Sequence, residues 1–424
     1  MQGLGSIMME LFVMFAAAKL AGELFDRVGQ PPVIGELLAG ILIGPHALAL
    51  IGRPAPDLLS AFPDEASART ALDTVHQLLS GLGVVVLLFF VGLESPLIDL
   101  LRVGPGAARI AVAGVSASFG LGMGLALLLR MSLTSALFVG AILASTSVGI
   151  SARVFADMGQ LGSPEARLVL AAAVIDDLLG LLALTIVTAI GRTGSIDLVA
   201  LGSVSVQAVA FVVVAGLACT FAVRRFGLHV QSLHVRDSPF VVGMVTCLGL
   251  AALASYVGLA ALIGAFLAGV AFAETRDEFQ LQRRASPVYE LLVPFFFVLT
   301  GSQVDWHVVL DPSTLGLVVL IVVVAALGKL VACGLGAWGL GGWSMAMIGV
   351  GMMPRGEVSL IAASVGASTG AIGGGLFSSV VVMSVLTAVV VPPLLAVLYR
   401  HAAAQAQVTA DEWEVAAEPV LPEF

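Results

Sequence analysis

The chain has 424 residues, of which 59% are hydrophobic and 11% charged, and its formal net charge is -9. Soluble domains carry about 25% charged residues, so this composition excludes an ordinary soluble protein and indicates an all-α polytopic membrane protein. The acidic residues are scattered in loops and in the tail after Asp411, and no basic surface for nucleic acid is predicted.

Apolar runs of about 17 to 25 residues predict about thirteen transmembrane helices, called here spans one to thirteen. Turn-forming pairs separate them, and we expect Gly104-Pro105 and Ser286-Pro287 to break the helical pattern at such loops. The spans are predicted at approximately 7–25, 32–51, 75–94, 105–129, 134–157, 164–190, 198–223, 238–257, 259–275, 287–304, 314–338, 342–371 and 375–399.

The arginines are distributed unevenly between the two faces of the predicted membrane protein. Twelve of them, Arg153 included, lie in or beside loops that follow odd-numbered spans, whereas four follow even-numbered spans. Basic residues are enriched on the cytoplasmic side of membrane proteins. This bias predicts that the N-terminus lies outside and the C-terminus in the cytoplasm.

A short internal repeat relates the two halves of the chain. Residues 34–40 (IGELLAG) in span two match residues 263–269 (IGAFLAG) in span nine at five of seven positions, and 89–91 (FFV) in span three match 296–298 (FFV) in span ten. We therefore predict two inverted repeats of six spans around a linker helix, span seven, as in many transporters. We also pair span six with span eleven in this register.

Two spans carry helix-breaking residues at corresponding places in the halves. Residues 145–149 (STSVG) interrupt span five, and residues 349–357 (GVGMMPRGE) interrupt span twelve. Interrupted helices release backbone groups that only a protein-lined cavity can satisfy, and paired interruptions point to a transporter's binding site. We predict two broken helices that cross.

Five charged residues fall near the middle of predicted spans: Asp176, Asp177, Lys329, Arg355 and Glu357. Each costs roughly 2.5 to 3.5 kcal/mol at the bilayer centre, so they must pair or meet water. Because adjacent helical residues point about 100° apart, one aspartate can face Lys329 while the other faces a cavity. A purely structural ion pair is the alternative.

The second carboxylate is the functional signal, because a buried carboxylate can hold a proton or a cation. Hard cations prefer oxygen ligands, and the hydroxyls of Thr146 and Ser147 offer them, unless they bond back to their own helix. Glu36 in span two is either a pathway residue or a satisfied carboxylate at a helix end.

These stretches resemble the second monovalent cation:proton antiporter family, and most closely its NapA-type sodium/proton antiporters. The resemblance extends in order over nearly the whole chain. The matching stretches are 29–45 (GQPPVIGELLAGILIGP), 84–94 (VVVLLFFVGLE), 145–153 (STSVGISAR), 173–180 (AVIDDLLG), 328–330 (GKL) and 351–361 (GMMPRGEVSLI).

The resemblance implies a homodimer in which a core domain moves against a dimerisation domain. It assigns residues 1–100 to dimerisation-domain helices 1–3, 101–193 to core-domain helices 4–6, 194–236 to linker helix 7, 237–306 to dimerisation-domain helices 8–10, 307–400 to core-domain helices 11–13 and 401–424 to a disordered cytoplasmic tail.

The resemblance also implies a role for each charged residue. Asp177 would carry the proton and bind the transported Na⁺ as its metal ligand, with Asp176 beside it as the ion-pair partner of Lys329. Thr146 and Ser147 would belong to the ion-binding site at the crossing. Arg355 and Glu357 would stabilise the crossing, where opposed helix ends place unpaired dipoles.

The function so implied is secondary active transport: exchange of a monovalent cation, Na⁺, for protons across the bacterial inner membrane by alternating access, with no cofactor and no enzymatic activity. A K⁺/H⁺ antiporter of the same family and a cation channel are the alternatives. An intramembrane aspartyl protease does not fit, because its aspartates face one another from different helices. The expected partners are Na⁺ (or K⁺ or Li⁺), H⁺, the lipid bilayer and a second copy of the chain.

Overall fold

The computed structural model contains only helices among the residues that it describes, which confirms the all-α prediction. Those residues are 4–94, 97–193, 198–231, 237–275, 279–305 and 312–417. The helices of the first half are α1 (Leu4–Arg27), α2 (Pro32–Ile43), α3 (Pro56–Leu59), α4 (Glu65–Leu93), α5 (Leu97–Leu128), α6 (Leu133–Ala144), α7 (Val148–Asp157) and α8 (Pro164–Thr193).

The remaining helices are the predicted linker helix α9 (Leu198–Gln231), α10 (Ser238–Tyr256), α11 (Ala261–Phe272), α12 (Leu281–Ser302), α13 (Pro312–Gly336), α14 (Gly342–Gly351), α15 (Glu357–Ser368) and α16 (Gly374–Ala417). Each of the thirteen predicted apolar segments contains a helix. Within the described residues, eight helices are long and apolar enough to cross a membrane, and shorter apolar helices accompany them. The protein is therefore an integral membrane protein.

The sequence predictions for two prolines were wrong. Pro105 lies inside α5 and Pro287 inside α12, where loops were expected. A proline removes one backbone hydrogen bond from a helix. The two helices nevertheless continue through these prolines, over 32 and 22 residues, because neighbouring helices in a membrane bundle compensate for one missing bond.

The last helix is longer than the sequence analysis predicted. The tail from residue 401 was expected to be disordered, but α16 continues to Ala417. The segment after Arg400 is rich in alanine and glutamine and has no glycine or proline before Pro419, and such residues favour a helix. Residues 418–424 lie outside the described part of the chain.

The packing of glycines reproduces the internal repeat. A Cβ on Gly40 of α2 would overlap the Val298 carbonyl of α12, and a Cβ on Gly269 of α11 would overlap the Phe89 carbonyl of α4. In the same way, Gly35 lies on the Ala21 carbonyl of α1 and Gly264 on the Leu250 carbonyl of α10. The contacts α2 to α12 and α11 to α4 are therefore equivalent, and each half supplies one partner to the other.

These contacts correct the register of the repeat in spans three and ten. In the glycine contacts, Phe89 of α4 corresponds to Val298 of α12. The Phe-Phe-Val match instead aligns Phe89 with Phe296, two residues earlier. The repeated feature is therefore the glycine contact and not the aromatic side chains. The pairing of span six with span eleven is also wrong. Gly140 of α6 lies on the Phe119 carbonyl of α5, and Gly349 of α14 lies on the Leu330 carbonyl of α13, so α5 corresponds to α13.

The helices pack in two groups. The first helix group is α1, α2, α4, α10, α11 and α12, in which α2 packs on α1 and α12, and α11 packs on α4 and α10. The second helix group is α5 to α8 and α13 to α16, in which α5 packs on α6, α8 and α13, and α16 packs on α13, α14 and α15. The linker helix α9 contacts α11 of the first group and α8 of the second.

Candidate functional site

Two broken helices meet in the second helix group. The first break separates α6, which ends at Ala144, from α7, and the second separates α14 from α15. The breaks are joined through the main chain, because the Ser147 N–H donates to the Pro354 carbonyl at 2.8 Å. The structure thus forms the crossing of broken helices that the glycine and proline positions predict.

Hydroxyl groups satisfy carbonyls that the breaks release. The Thr146 hydroxyl donates to the Met352 carbonyl at 3.3 Å, and the Ser151 hydroxyl donates to the Gly351 carbonyl at 2.6 Å. Both acceptors lie at the end of α14, where helical hydrogen bonding stops. The first broken span therefore supplies hydrogen-bond donors that the second one needs.

Arg355 lies at the centre of the crossing and is fully buried. Its guanidinium donates to the Ser145 carbonyl at the end of α6 and to the Ala325 carbonyl of α13, the latter at 2.7 Å. Its main-chain N–H donates to the Thr387 hydroxyl at 3.1 Å. A cation at the C-terminal end of α6 offsets the partial negative charge of that helix end. The Glu357 side chain, which the sequence analysis placed here, lies outside the described residues.

Asp176 and Lys329 form an ion pair in the interior of the second group, and both side chains are 0% exposed. The pair joins α8 to α13. Gly114 of α5 leaves space for the lysine, since a Cβ there would be 3.3 Å from Nζ. The geometry is that of a charge-assisted hydrogen bond shielded from water. The structure thus brings together the two residues that the sequence analysis paired.

Asp177 follows on the same helix and is 1% exposed. One turn further, Gly180 packs against the crossing, where a Cβ would be 3.5 Å from the Ser145 side chain. Thr146 and Ser147 are equally buried at the first break. The carboxylate pair therefore lies in the protein interior beside the crossed helices.

A large cavity opens between the two helix groups on one face of the protein. Its volume is about 710 Å³, and it lies beside the segment after α2 that contains His46 and Gly52. A smaller cavity of about 80 Å³ shares Ser80 and Phe296 with it and extends to Gly356 at the second break. The two cavities together extend from this face to the edge of the crossing, and Asp177 lines neither of them.

A buried charged cluster of Glu36, Arg153 and Asp157 lies toward the opposite face. Arg153 of α7 donates to Glu36 of α2 at 3.1 Å and to Asp157 at 2.7 Å. Tyr289 and Phe297 of α12 cover the guanidinium, with ring centroids 5.4 and 5.6 Å from its carbon. Cation–π contacts of this kind strengthen when the cation is desolvated.

This cluster was not predicted from the sequence. Arg153 was expected in or beside a loop, but the residue is 7% exposed, and the role of Glu36 was left open between two alternatives. The available signal was the i, i+4 spacing of Arg153 and Asp157, which places an acid and a base on one face of a helix. Nothing in the sequence indicates that Glu36, 117 residues away, would join them.

A membrane protein with repeated helical halves, two crossed broken helices and buried charges at the crossing is a secondary transporter. The chain belongs to the sodium/hydrogen exchanger family, because the family profile described as "Sodium/hydrogen exchanger, transmembrane" matches residues 12–399. This finding confirms the resemblance to sodium/proton antiporters that the sequence motifs indicated.

Relatives are similar to this chain over most of their lengths. The "High-affinity Na(+)/H(+) antiporter NhaS3" of Synechocystis sp. is 36% identical over 94% of this chain and 91% of its own. The "Na(+)/H(+)-K(+) antiporter GerN" of Bacillus cereus is 31% identical over 91% and 94%. The structure of the sodium proton antiporter MjNhaP1 from Methanocaldococcus jannaschii matches with a TM-score of 0.62 at 17% identity and covers 93% of this chain and 96% of its own, so the fold is shared.

Proposed function

We propose that this protein exchanges Na⁺ for protons across the bacterial inner membrane by alternating access, and that Asp177 is the carrier of both ions. The observation that carries the proposal is the buried Asp176-Asp177 pair beside the crossing, with Lys329 bound to Asp176. A cation or a proton can each neutralise a carboxylate in low dielectric. Binding of one displaces the other, and this competition couples the two fluxes.

The alternating step involves the two helix groups. We propose that the second helix group is the core domain, with boundaries near 101–193 and 307–400, and that it moves against the first helix group. Under the orientation favoured by the arginine distribution, the large cavity opens outwards and the Glu36, Arg153 and Asp157 cluster faces the cytoplasm. The first helix group would then form the homodimer contact.

The ion-binding site would use the oxygens around the crossing. Thr146 and Ser147 lie at the break of span five, and their hydroxyls and the freed carbonyls are the type of ligand that hard cations select. Arg355 supports these groups through its bonds to Ser145 and Ala325. Removal of the guanidinium would leave the Ser145 carbonyl, at the end of α6, without this donor in the interior, which is costly in a membrane.

The test is exchange by purified protein in liposomes that contain a pH-sensitive dye. Asp177→Asn should lower sodium-driven proton movement at least about a hundredfold, because an amide neither titrates nor neutralises a bound cation. Asp57→Asn, an exposed aspartate in α3, is the matched control and should keep the parental rate. Retention of a substantial fraction of exchange by Asp177→Asn would overturn the assignment.

Potassium exchange is the second candidate function, because the name of the relative GerN includes K⁺. The same liposomes, challenged in turn with Na⁺, Li⁺ and K⁺, distinguish the two. We expect the largest proton movement with Na⁺. A channel would pass the cation without moving protons, so the dye response also separates exchange from conduction.

A further inference from the structure

The Glu36, Arg153 and Asp157 cluster joins the two helix groups. Glu36 is on α2 of the first group, whereas Arg153 and Asp157 are on α7 of the second. A second polar contact crosses the same boundary, because the main-chain N–H of Val33 donates to Asp157 at 3.3 Å. Motion of one group against the other must break both contacts.

The cluster lies on the side of the crossing opposite the large cavity. Asp157 lines a separate pocket of about 380 Å³ with Asp26, Gln30 and Arg400, and that pocket opens at the other face. Between the pocket and the crossing, α7 packs tightly on α4, where a Cβ at Gly149 would be 3.1 Å from the Val84 side chain. Along α7, this close packing and the cluster therefore both lie between the pocket and the crossing.

The three side chains are nearly inaccessible to solvent: the Arg153 side chain is 8% exposed and those of Glu36 and Asp157 are 3% and 9%. Separation of a buried pair leaves uncompensated charge, which is strongly unfavourable unless water replaces the partner. The closed arrangement is thus favoured on this face until the groups separate far enough to admit water.

We propose that Glu36, Arg153 and Asp157 form a latch that holds the protein open on the large-cavity face and closed on the other. The inference rests on the proposed function, because it assigns to these residues control over which face the carrier site meets. Two carboxylates share one guanidinium. When the latch opens, the cluster therefore presents excess negative charge to the 380 Å³ pocket, where an arriving cation is attracted.

The test measures access to the large cavity directly. Ser80, which lines both cavities on the open face, is changed to cysteine, and its labelling by a membrane-impermeant maleimide is timed in intact protein without an ion gradient. The parent chain without Ser80→Cys gives the contribution of the three native cysteines.

We expect Glu36→Gln and Arg153→Gln each to slow labelling of Ser80→Cys by at least about threefold, as the open state becomes a smaller fraction of the population. The double change should give the same rate as either single one. Arg69→Gln removes an exposed arginine from a comparable i, i+4 pair with Glu65 and should leave the rate unchanged.

An unchanged labelling rate in Glu36→Gln and Arg153→Gln would overturn the latch. So would a faster rate, which is the result expected from unfolding. Labelling needs no transport, so the outcome is independent of the liposome assay. If Asp177→Asn retained exchange while the latch variants slowed labelling, the carrier assignment would fail and the latch would stand.

Discussion

The ion pair of Lys329 and Asp176 joins two helices of the second group in a place that water does not reach. Removal of one partner from a buried pair leaves the other as an uncompensated charge, and this costs about 3 to 5 kcal/mol in soluble proteins. The ion pair therefore stabilises the protein mainly because neither buried charge is left without its partner.

We predict that Lys329→Gln lowers the free energy of unfolding by an amount of that order, and that Asp176→Asn in the same chain recovers much of the loss. The melting temperatures of the parent, both single variants and the double variant measure the coupling between the two residues. Simple additivity of the two single changes would mean that the residues do not interact.

At the scale of residues, the sequence could identify the charged members of the site because charge in the middle of an apolar run is visible without a structure. Asp176, Asp177, Lys329 and Arg355 all lie in the second helix group beside the crossing. The partners of Arg355 could not be predicted, since they are main-chain carbonyls, which every residue carries. They are defined by the fold alone.

Among the helices, close main-chain contact at glycines holds the first group together. Gly40→Ala and Gly269→Ala each place a Cβ on the carbonyl of a neighbouring helix. We predict that each lowers the free energy of unfolding by about 1 to 3 kcal/mol, because the helices must move apart. The measurement is thermal unfolding in detergent.

Gly249→Ala is the matched control, because no atom lies within 4 Å of a Cβ at that position in α10. At a helix position where a Cβ meets no neighbour, alanine in place of glycine is expected to leave the free energy of unfolding unchanged or to raise it by about 0.5 to 1 kcal/mol. Tolerance of Gly40→Ala together with strong destabilisation by Gly269→Ala would show that the two contacts are not equivalent.

The two broken helices are also in close contact at a glycine of the crossing. A Cβ at Gly356 would be 2.5 Å from the Ser147 hydroxyl and 2.6 Å from its Cβ. We expect Gly356→Ala to separate the breaks, lower exchange severalfold and cost about 1 to 3 kcal/mol of stability. Ser147→Gly in the same chain removes the clash and should restore most of the stability, as measured by thermal unfolding. Failure to recover would indicate that another contact limits residue 356.

The positions of the helices and of their breaks could be predicted where local composition alone determines them. The apolar runs and the Gly and Pro interruptions gave the spans and the two breaks. The interior prolines of α5 and α12 and the register of spans three and ten were not predictable, because both depend on what the neighbouring helix supplies. A proline is tolerated only in a helix that its neighbours hold in place.

For the molecule as a whole, competition at one site makes exchange depend on pH. Because a proton and Na⁺ would neutralise the same carboxylate, we predict that the apparent affinity for Na⁺ weakens as the pH falls and that transport at fixed, subsaturating Na⁺ rises with pH. Initial rates in liposomes over a series of Na⁺ concentrations at several pH values measure both. An apparent affinity that is independent of pH would show that the two ions bind at separate sites.

Helices of one half pack on helices of the other half, and this affects how the protein is assembled during its synthesis. The glycine faces of α2 and α4 are made early in synthesis, but the carbonyls and helices that cover them, on α12 and α11, are made only after the linker helix α9. Domains generally fold as units while the chain emerges. The first helix group cannot fold as a unit until the second half is inserted, because that half supplies some of its helices. Until then, the small-residue faces of the first half are exposed to lipid. Association of these faces with other chains then competes with their packing on α11 and α12.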